Sequence, residues 1–155
     1  MGLLRGAFRR KLDSRGRILL PMRFRDALGT APLAVVSGQR RFEVMAASHL
    51  RAFREERGGS ETDVAEEVHG GSPKQKRATT EGPLPVIGMT HVDRAGRITL
   101  PKLSVTALSA HGNEVLLFGC STSFQLWDPV DFEDELRREP WWSDTDEVFL
   151  RALEI

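Results

Sequence analysis

The nine residues DSRGRILLP (13–21) return almost unchanged as DRAGRITLP (93–101). Laid over each other with a shift of 80, residues 13–28 match at eight of sixteen positions. These are Asp13/Asp93, Gly16/Gly96, Arg17/Arg97, Ile18/Ile98, Leu20/Leu100, Pro21/Pro101, Ala27/Ala107 and Leu28/Leu108. With a shift of 82 the likeness continues, LAVVSGQRRFEV (33–44) running beside VLLFGCSTSFQL (115–126). A unit of about 45–50 residues is written twice, so each copy is expected to build the same supersecondary unit.

Within a copy, Asp followed three residues later by Gly is a β-turn signature. The Asp side chain accepts local backbone hydrogen bonds and Gly tolerates positive φ. The flanking residues 8–12 and 17–20 read as strands. Ile98 and Leu100 alternate with Arg97 and Thr99, which makes one face core and the other polar. Leu19 stands where the second copy has Thr99, which predicts an outer face in the first copy that is covered by a neighbouring subunit. Pro21 and Pro101 end their strands and open short helices in PMRFRDALG and PKLSVTALS. Two further strands follow in each copy, 33–37 and 42–45, then 115–119 and 124–127. Each copy closes on a helix: 48–57 with Ser48 as cap, and 129–138 with Asp128 as cap and Pro129 at its first position. Four short strands cannot bury themselves alone. Two copies interleaved about a pseudo-two-fold axis predict one small barrel of eight strands. The fold class is therefore mainly β with short helices (α+β). The chain divides into a first repeat (1–57), a linker (58–85), a second repeat (86–138) and an acidic tail (139–155). The linker is rich in Gly, Ser, Thr, Pro and charge, with at most a turn or two of helix near 62–68.

The net charge of zero conceals a gradient. Residues 1–25 hold eight basic side chains against Asp13 alone, and residues 128–155 hold ten acids against three arginines. Such asymmetry marks a polyanion-binding end beside an acidic solvated one, or ends that meet between subunits. Nothing convergent points to an enzyme or a small-molecule substrate. His49, His69, His91 and His111 lack metal-ligand spacing, so no metal and no cofactor are expected. FGCS (118–121) is not a nucleophile elbow, and HGGSP (69–73) lacks the lysine of a phosphate loop. The single Cys120 suits a reducing cytoplasm. No apolar run approaches the roughly 20 residues of a membrane span, and MGLLRGAFRR reads without a signal-peptide core. KQKR (74–77) reads as solvated. Trp141 and Trp142 read as anchors that dock the acidic tail on a neighbouring surface.

The segments LRGAFRRKLDSRGRILLPMRFRDAL (4–28), VDRAGRITLPKLSVTAL (92–108) and FQLWDPVDFEDEL (124–136) carry a resemblance. They resemble the AbrB-type swapped-hairpin DNA-binding family, and within it the MraZ branch, in which one chain carries two such units in tandem. The resemblance implies a pseudo-two-fold swapped-hairpin β-barrel, each repeat being followed by a helix. It implies a sequence-specific transcriptional regulator, a repressor, cytoplasmic and nucleoid-associated. It also implies a homo-oligomeric ring acting on short direct repeats of double-stranded DNA. Those repeats lie upstream of the division and cell-wall gene cluster, the regulator's own gene included.

Carried over by position, Arg15 and Arg17 are the DNA-facing candidates of the first turn, and Arg94 and Arg97 those of the second. Arg9 and Lys11, on the strand entering the first turn, are expected to point to the same side. Asp13, Gly16, Asp93 and Gly96 are the turn-forming residues. Arg17 and Arg97 are equally open to a structural role, pairing with Asp13 and Asp93 to lock the turns. Members of the family have an aromatic where Leu4 stands, a histidine where Arg10 stands and a helical connection in place of 58–85. The basic residue between Asp and Gly is also displaced by one, from Arg15 in the first turn to Arg94 in the second. The alternative reading is an antitoxin-like or protein-interaction module whose acidic, tryptophan-bearing tail wraps a protein partner.

Overall fold

A computed structural model describes residues 3–56 and 85–138. The expected short helix near 62–68, KQKR and the two tail tryptophans lie outside the described residues. The first copy supplies β1 (Ala7–Lys11), β2 (Arg17–Leu19), α1 (Met22–Leu28), β3 (Leu33–Ser37), β4 (Arg41–Ala46) and α2 (Leu50–Glu56). The second repeats the order with β5 (Val86–Thr90), β6 (Arg97–Thr99), α3 (Lys102–Leu108), β7 (Glu114–Gly119), β8 (Ser123–Trp127) and α4 (Pro129–Arg138).

The copies exchange strands. Six strands form one sheet in the order β1-β7-β8-β4-β3-β5, and β2 pairs with β6 in a separate two-stranded ribbon. Replacing each strand by its counterpart in the other copy reverses the order and leaves it unchanged, which is the signature of a pseudo-two-fold axis. β1 lies on β7 and β5 on β3, so the first strand of each copy is held by the other copy. Two pairs sit on the axis itself: Ile18 opposite Ile98, and Glu43 opposite Gln125. With the eight strands divided between a sheet and a ribbon, hydrogen bonding does not run round a single closed ring.

The core lies between the ribbon and the sheet. Ile18, Ile98, Leu33, Val35, Val44, Val115, Leu117, Phe124 and Leu126 are fully buried, and the counterparts Leu33/Val115, Val35/Leu117 and Val44/Leu126 are hydrophobic in both copies. Period-two alternation puts these residues on one face of each strand. At one place the copies use different shapes. Phe8 packs edge-on against Phe24, their ring centroids 5.4 Å apart, and Phe24 reaches Phe124 at 5.2 Å. The second copy has Gly88 and Ser104 at the positions of Phe8 and Phe24. Ser104 is fully buried, its hydroxyl donating to the Pro101 carbonyl oxygen at 2.6 Å. A Cβ on Gly88 would stand 2.4 Å from Cγ of Pro101, so the strand there packs directly on the proline ring.

Pro21 and Pro101 stand immediately before α1 and α3, and their carbonyls accept from Arg25 N–H and Val105 N–H, both at 3.1 Å. Asp128 caps α4, its Oδ1 accepting from Val130 N–H at 2.8 Å. The helix expected over 48–57 with Ser48 as cap is different in detail. A 3₁₀ turn (Ala47–His49) comes first and α2 begins only at Leu50. Ala47 N–H is held by the Pro32 carbonyl at 2.8 Å, so the chain must turn tightly before a helix can run free. Leu19, expected under the cover of a neighbouring subunit, is 40% exposed in the single chain, which leaves its side chain open to such a contact. No helix among the described residues is long and apolar enough to cross a membrane.

Gly88→Ala is expected to destabilise the protein by about 1–3 kcal/mol, because the added methyl must displace the Pro101 ring from a filled core. Equilibrium urea unfolding checks this, and an unchanged midpoint overturns the close approach.

Candidate functional site

Each Asp-x-x-Gly segment is tied by the same four hydrogen bonds. In the first, Asp13 Oδ1 accepts from the backbone N–H groups of Arg15 and Arg17, both at 2.9 Å. Gly16 N–H donates to the Asp13 carbonyl at 3.1 Å, and Asp13 N–H to the Arg17 carbonyl at 3.0 Å. In the second, Asp93 Oδ1 accepts from Ala95 N–H at 2.9 Å and Arg97 N–H at 3.0 Å. Its backbone closes the same way, Gly96 N–H to Asp93 at 3.0 Å and Asp93 N–H to Arg97 at 2.9 Å. Gly16 and Gly96 have φ of 76° and 82°, a conformation that costs any residue with a Cβ. Both aspartates have their pKa held below the ordinary carboxylate value, chiefly because the backbone N–H four residues on bonds the charged form.

The turns are crossed into each other. Leu20 N–H donates to the Gly96 carbonyl at 2.9 Å and Leu100 N–H to the Gly16 carbonyl at 2.8 Å. These bonds extend the β2–β6 ribbon at both ends, and since its strands are antiparallel the two turns lie at opposite ends of it. Ile18 and Ile98 point into the core, leaving Arg17, Leu19, Arg97 and Thr99 on the outer face. Arg17 and Arg97 thus share one face, diagonally placed about the axis.

The candidate cations differ in their ties. Arg17 Nε donates to Asp13 Oδ2 at 2.9 Å, so its guanidinium also latches its own turn. Arg97 makes no such bond to Asp93; only its backbone N–H is tied there. Arg15 and Arg94 are exposed at the two turn tips, with no side-chain partner among the described residues. Arg9 is engaged elsewhere: its guanidinium pairs with Glu114 on β7 at 3.1 Å. Lys11 is exposed and stands opposite that same Glu114. The structure therefore brings Arg15, Arg17, Arg94 and Arg97 to the ribbon and its turns, and associates Arg9 and Lys11 with an acid of the neighbouring strand.

Two basic residues escaped the sequence reading. Arg25 of α1 packs on the second turn, since a Cβ at Gly96 would stand 2.5 Å from its Nη1. Arg10 lies near Arg25, on the opposite strand face from Arg9 and Lys11. The only sequence signal for Arg25 is the contrast with its counterpart Val105, which becomes informative once the copies are known to cross. Among the described residues no three His, Cys, Asp or Glu side chains gather as a metal site.

Comparison with known proteins gives a consistent picture. The model of a family described as "MraZ protein, putative antitoxin-like" matches residues 3–67. A "Transcriptional regulator MraZ" of Arthrobacter is 28% identical over 139 residues, covering 89% of this chain and 91% of its own. One of Bifidobacterium longum is 28% identical over 156 residues, covering 99% and 96%. One of Ruegeria pomeroyi is 26% identical over 166 residues, covering 94% and 90%.

A carboxyl whose folded pKa lies below its unfolded value stabilises the fold fully above the ordinary carboxylate range, and less as pH falls through it. Asp13→Ala and Asp93→Ala are therefore expected to lower the Tm at pH 7. The gap from the parent protein should narrow as pH drops below about 4. Thermal melts across pH check this; a gap that stays constant with pH would mean the carboxylate charge does not hold the turns.

Proposed function

We propose that the chain is a member of the MraZ family, to whose model residues 3–67 are similar and whose curated relatives it resembles over most of its length, and that it is a sequence-specific DNA-binding transcriptional regulator. The observation that carries this is the outer face of the β2–β6 ribbon: Arg17 and Arg97 lie on it, and the exposed Arg15 and Arg94 stand at its two tips. A two-stranded β-ribbon fits the major groove of B-DNA, which is about 12 Å wide. Four residue steps from Gly16 to Leu20 span about 13 Å, so the turns at its ends reach the flanking phosphates. Arginine suits both tasks, since its guanidinium bonds bidentately to phosphate or to guanine O6 and N7.

In this reading the protein acts as a repressor, in a homo-oligomeric ring on short direct repeats. Its target is the promoter region upstream of the division and cell-wall gene cluster, including its own gene. It works in the cytoplasm at the nucleoid and without a cofactor. What supports these finer points is the family resemblance of the two signatures. One subunit offers few contacts, and a ring on successive repeats multiplies them through effective concentration. A second reading draws on the antitoxin-like wording of the family description: the tail at 139–155 wraps a small basic protein. Co-purification of such a protein would favour it.

The test is fluorescence anisotropy on the DNA upstream of the protein's own gene, with a scrambled fragment as control and salt varied. Selective binding that weakens with salt supports the regulator; equal or absent binding to both fragments overturns it. Arg97→Ala is expected to cost about 1–3 kcal/mol of DNA affinity. Arg17→Ala should cost more, because it removes a cation and the latch on Asp13 together. Equal losses would sink that ranking.

A further inference from the structure

The outer face of the β2–β6 ribbon is made of two cross-strand pairs, Arg17 opposite Thr99 and Leu19 opposite Arg97. One step beyond each pair, Leu20 N–H bonds to the Gly96 carbonyl and Leu100 N–H to the Gly16 carbonyl. Both pairs therefore fall at the non-hydrogen-bonded positions of the ladder, where facing side chains stand closest. Leu19 is thus side by side with Arg97, and 40% of it is exposed. A strand with one face in the core asks for a polar residue at this position, as the second copy has in Thr99.

An exposed leucine alone is ordinary; the surroundings of this one select what can cover it. Arg17 and Arg97 share its face, and Arg15 and Arg94 stand exposed at the turn tips beyond. The acids of the two turns, Asp13 and Asp93, each give Oδ1 to two backbone N–H groups of their own turn. Of the four arginines, Arg17 alone takes one of their carboxylate oxygens, Oδ2 of Asp13. An apolar surface of a second copy laid on this face would strip water from the guanidiniums and supply no acceptor in its place. The major groove meets both requirements at once. It offers guanine O6 and N7 to arginine, and the C5-methyl of thymine to an apolar side chain.

We infer that Leu19 is a thymine reader, its side chain packing on the C5-methyl of one T·A pair in the groove that the ribbon enters. The inference rests on the DNA-binding reading above and gives it a base preference. A contact to a base edge specifies sequence, where contacts to phosphate only set position. At the symmetry-related place Thr99 presents a shorter side chain with a hydroxyl, which accepts more than one base. Thymine is therefore demanded at one end of the ribbon and not at the other, so the two ends differ in the base they select.

The test maps the stretch of upstream DNA that the full chain protects, then replaces each thymine in it, one at a time, by deoxyuridine. That change removes the C5-methyl and keeps the base pair. Affinities of the parent, Leu19→Ala and Thr99→Ala are measured by fluorescence anisotropy, each variant's melt confirming its fold. One deoxyuridine position should weaken the parent by about fourfold, the effect of a single buried methyl group. In Leu19→Ala the same replacement should change nothing, whereas in Thr99→Ala the loss should remain. Leu19→Ala should also keep the parent's slope of log affinity against log salt, because no phosphate contact is removed. Its affinity for the scrambled fragment should match the parent's. A parent that binds selectively but shows no methyl effect, or shows the same one in Leu19→Ala, overturns the thymine contact and leaves the regulator reading intact. If the methyl effect persists in Leu19→Ala while the oligomer's mass by light scattering falls, the leucine belongs to a contact with a neighbouring subunit. A parent with no selective binding overturns both readings.

Discussion

Everything in this fold depends on the two copies lending strands to each other, and the β2–β6 ribbon is where that exchange is tightest. Leu20 bonds to the Gly96 carbonyl and Leu100 to the Gly16 carbonyl, so neither turn is closed by its own copy alone. Ile18 and Ile98, paired on the axis and fully buried, fix the register. A slip of one residue would turn both isoleucines to solvent and bring Arg17 and Arg97 into the core. The same register that builds the core therefore also sets the two arginines on the ribbon's outer face.

The elements were legible in the sequence because their signals are local. Residues 33–37 read as a strand, with 115–119 as counterpart, at the bounds observed, and Asp128-Pro129 marked the start of the last helix. The duplication makes the pseudo-symmetry readable in the sequence itself. What stayed hidden depends on crossing contacts. The hold of Pro32 on Ala47, which delays α2, is a contact between chain segments fifteen residues apart. The attachment of Arg9 to Glu114 needs the β1–β7 pairing, which no periodicity reveals. Arg25 reads as one more basic residue of the first copy until the exchange sets it on the second copy's turn.

The charge gradient along the chain thus misrepresents the charge in space. Counting by copy makes the first turn rich and the second poor. Counting by neighbourhood gives a different picture. At the first turn, Arg17 is partly neutralised by Asp13, and the adjoining helix offers Val105. At the second, Arg97 is not paired with Asp93, and the adjoining helix offers Arg25. Strand exchange moves positive charge from one half of the sequence to the other half of the site.

Joining two copies in one chain is what permits such differences. In a homodimer of one repeat, every substitution appears twice about the axis. Phe8 and Phe24 would then appear in both halves, where Gly88 and Ser104 now leave room for Pro101 to pack. The tandem chain relaxes that requirement. One half takes aromatic bulk and arginines, the other takes small residues and close backbone contact, and the β-framework that relates them is kept. A two-fold scaffold then presents two ends that are not equivalent.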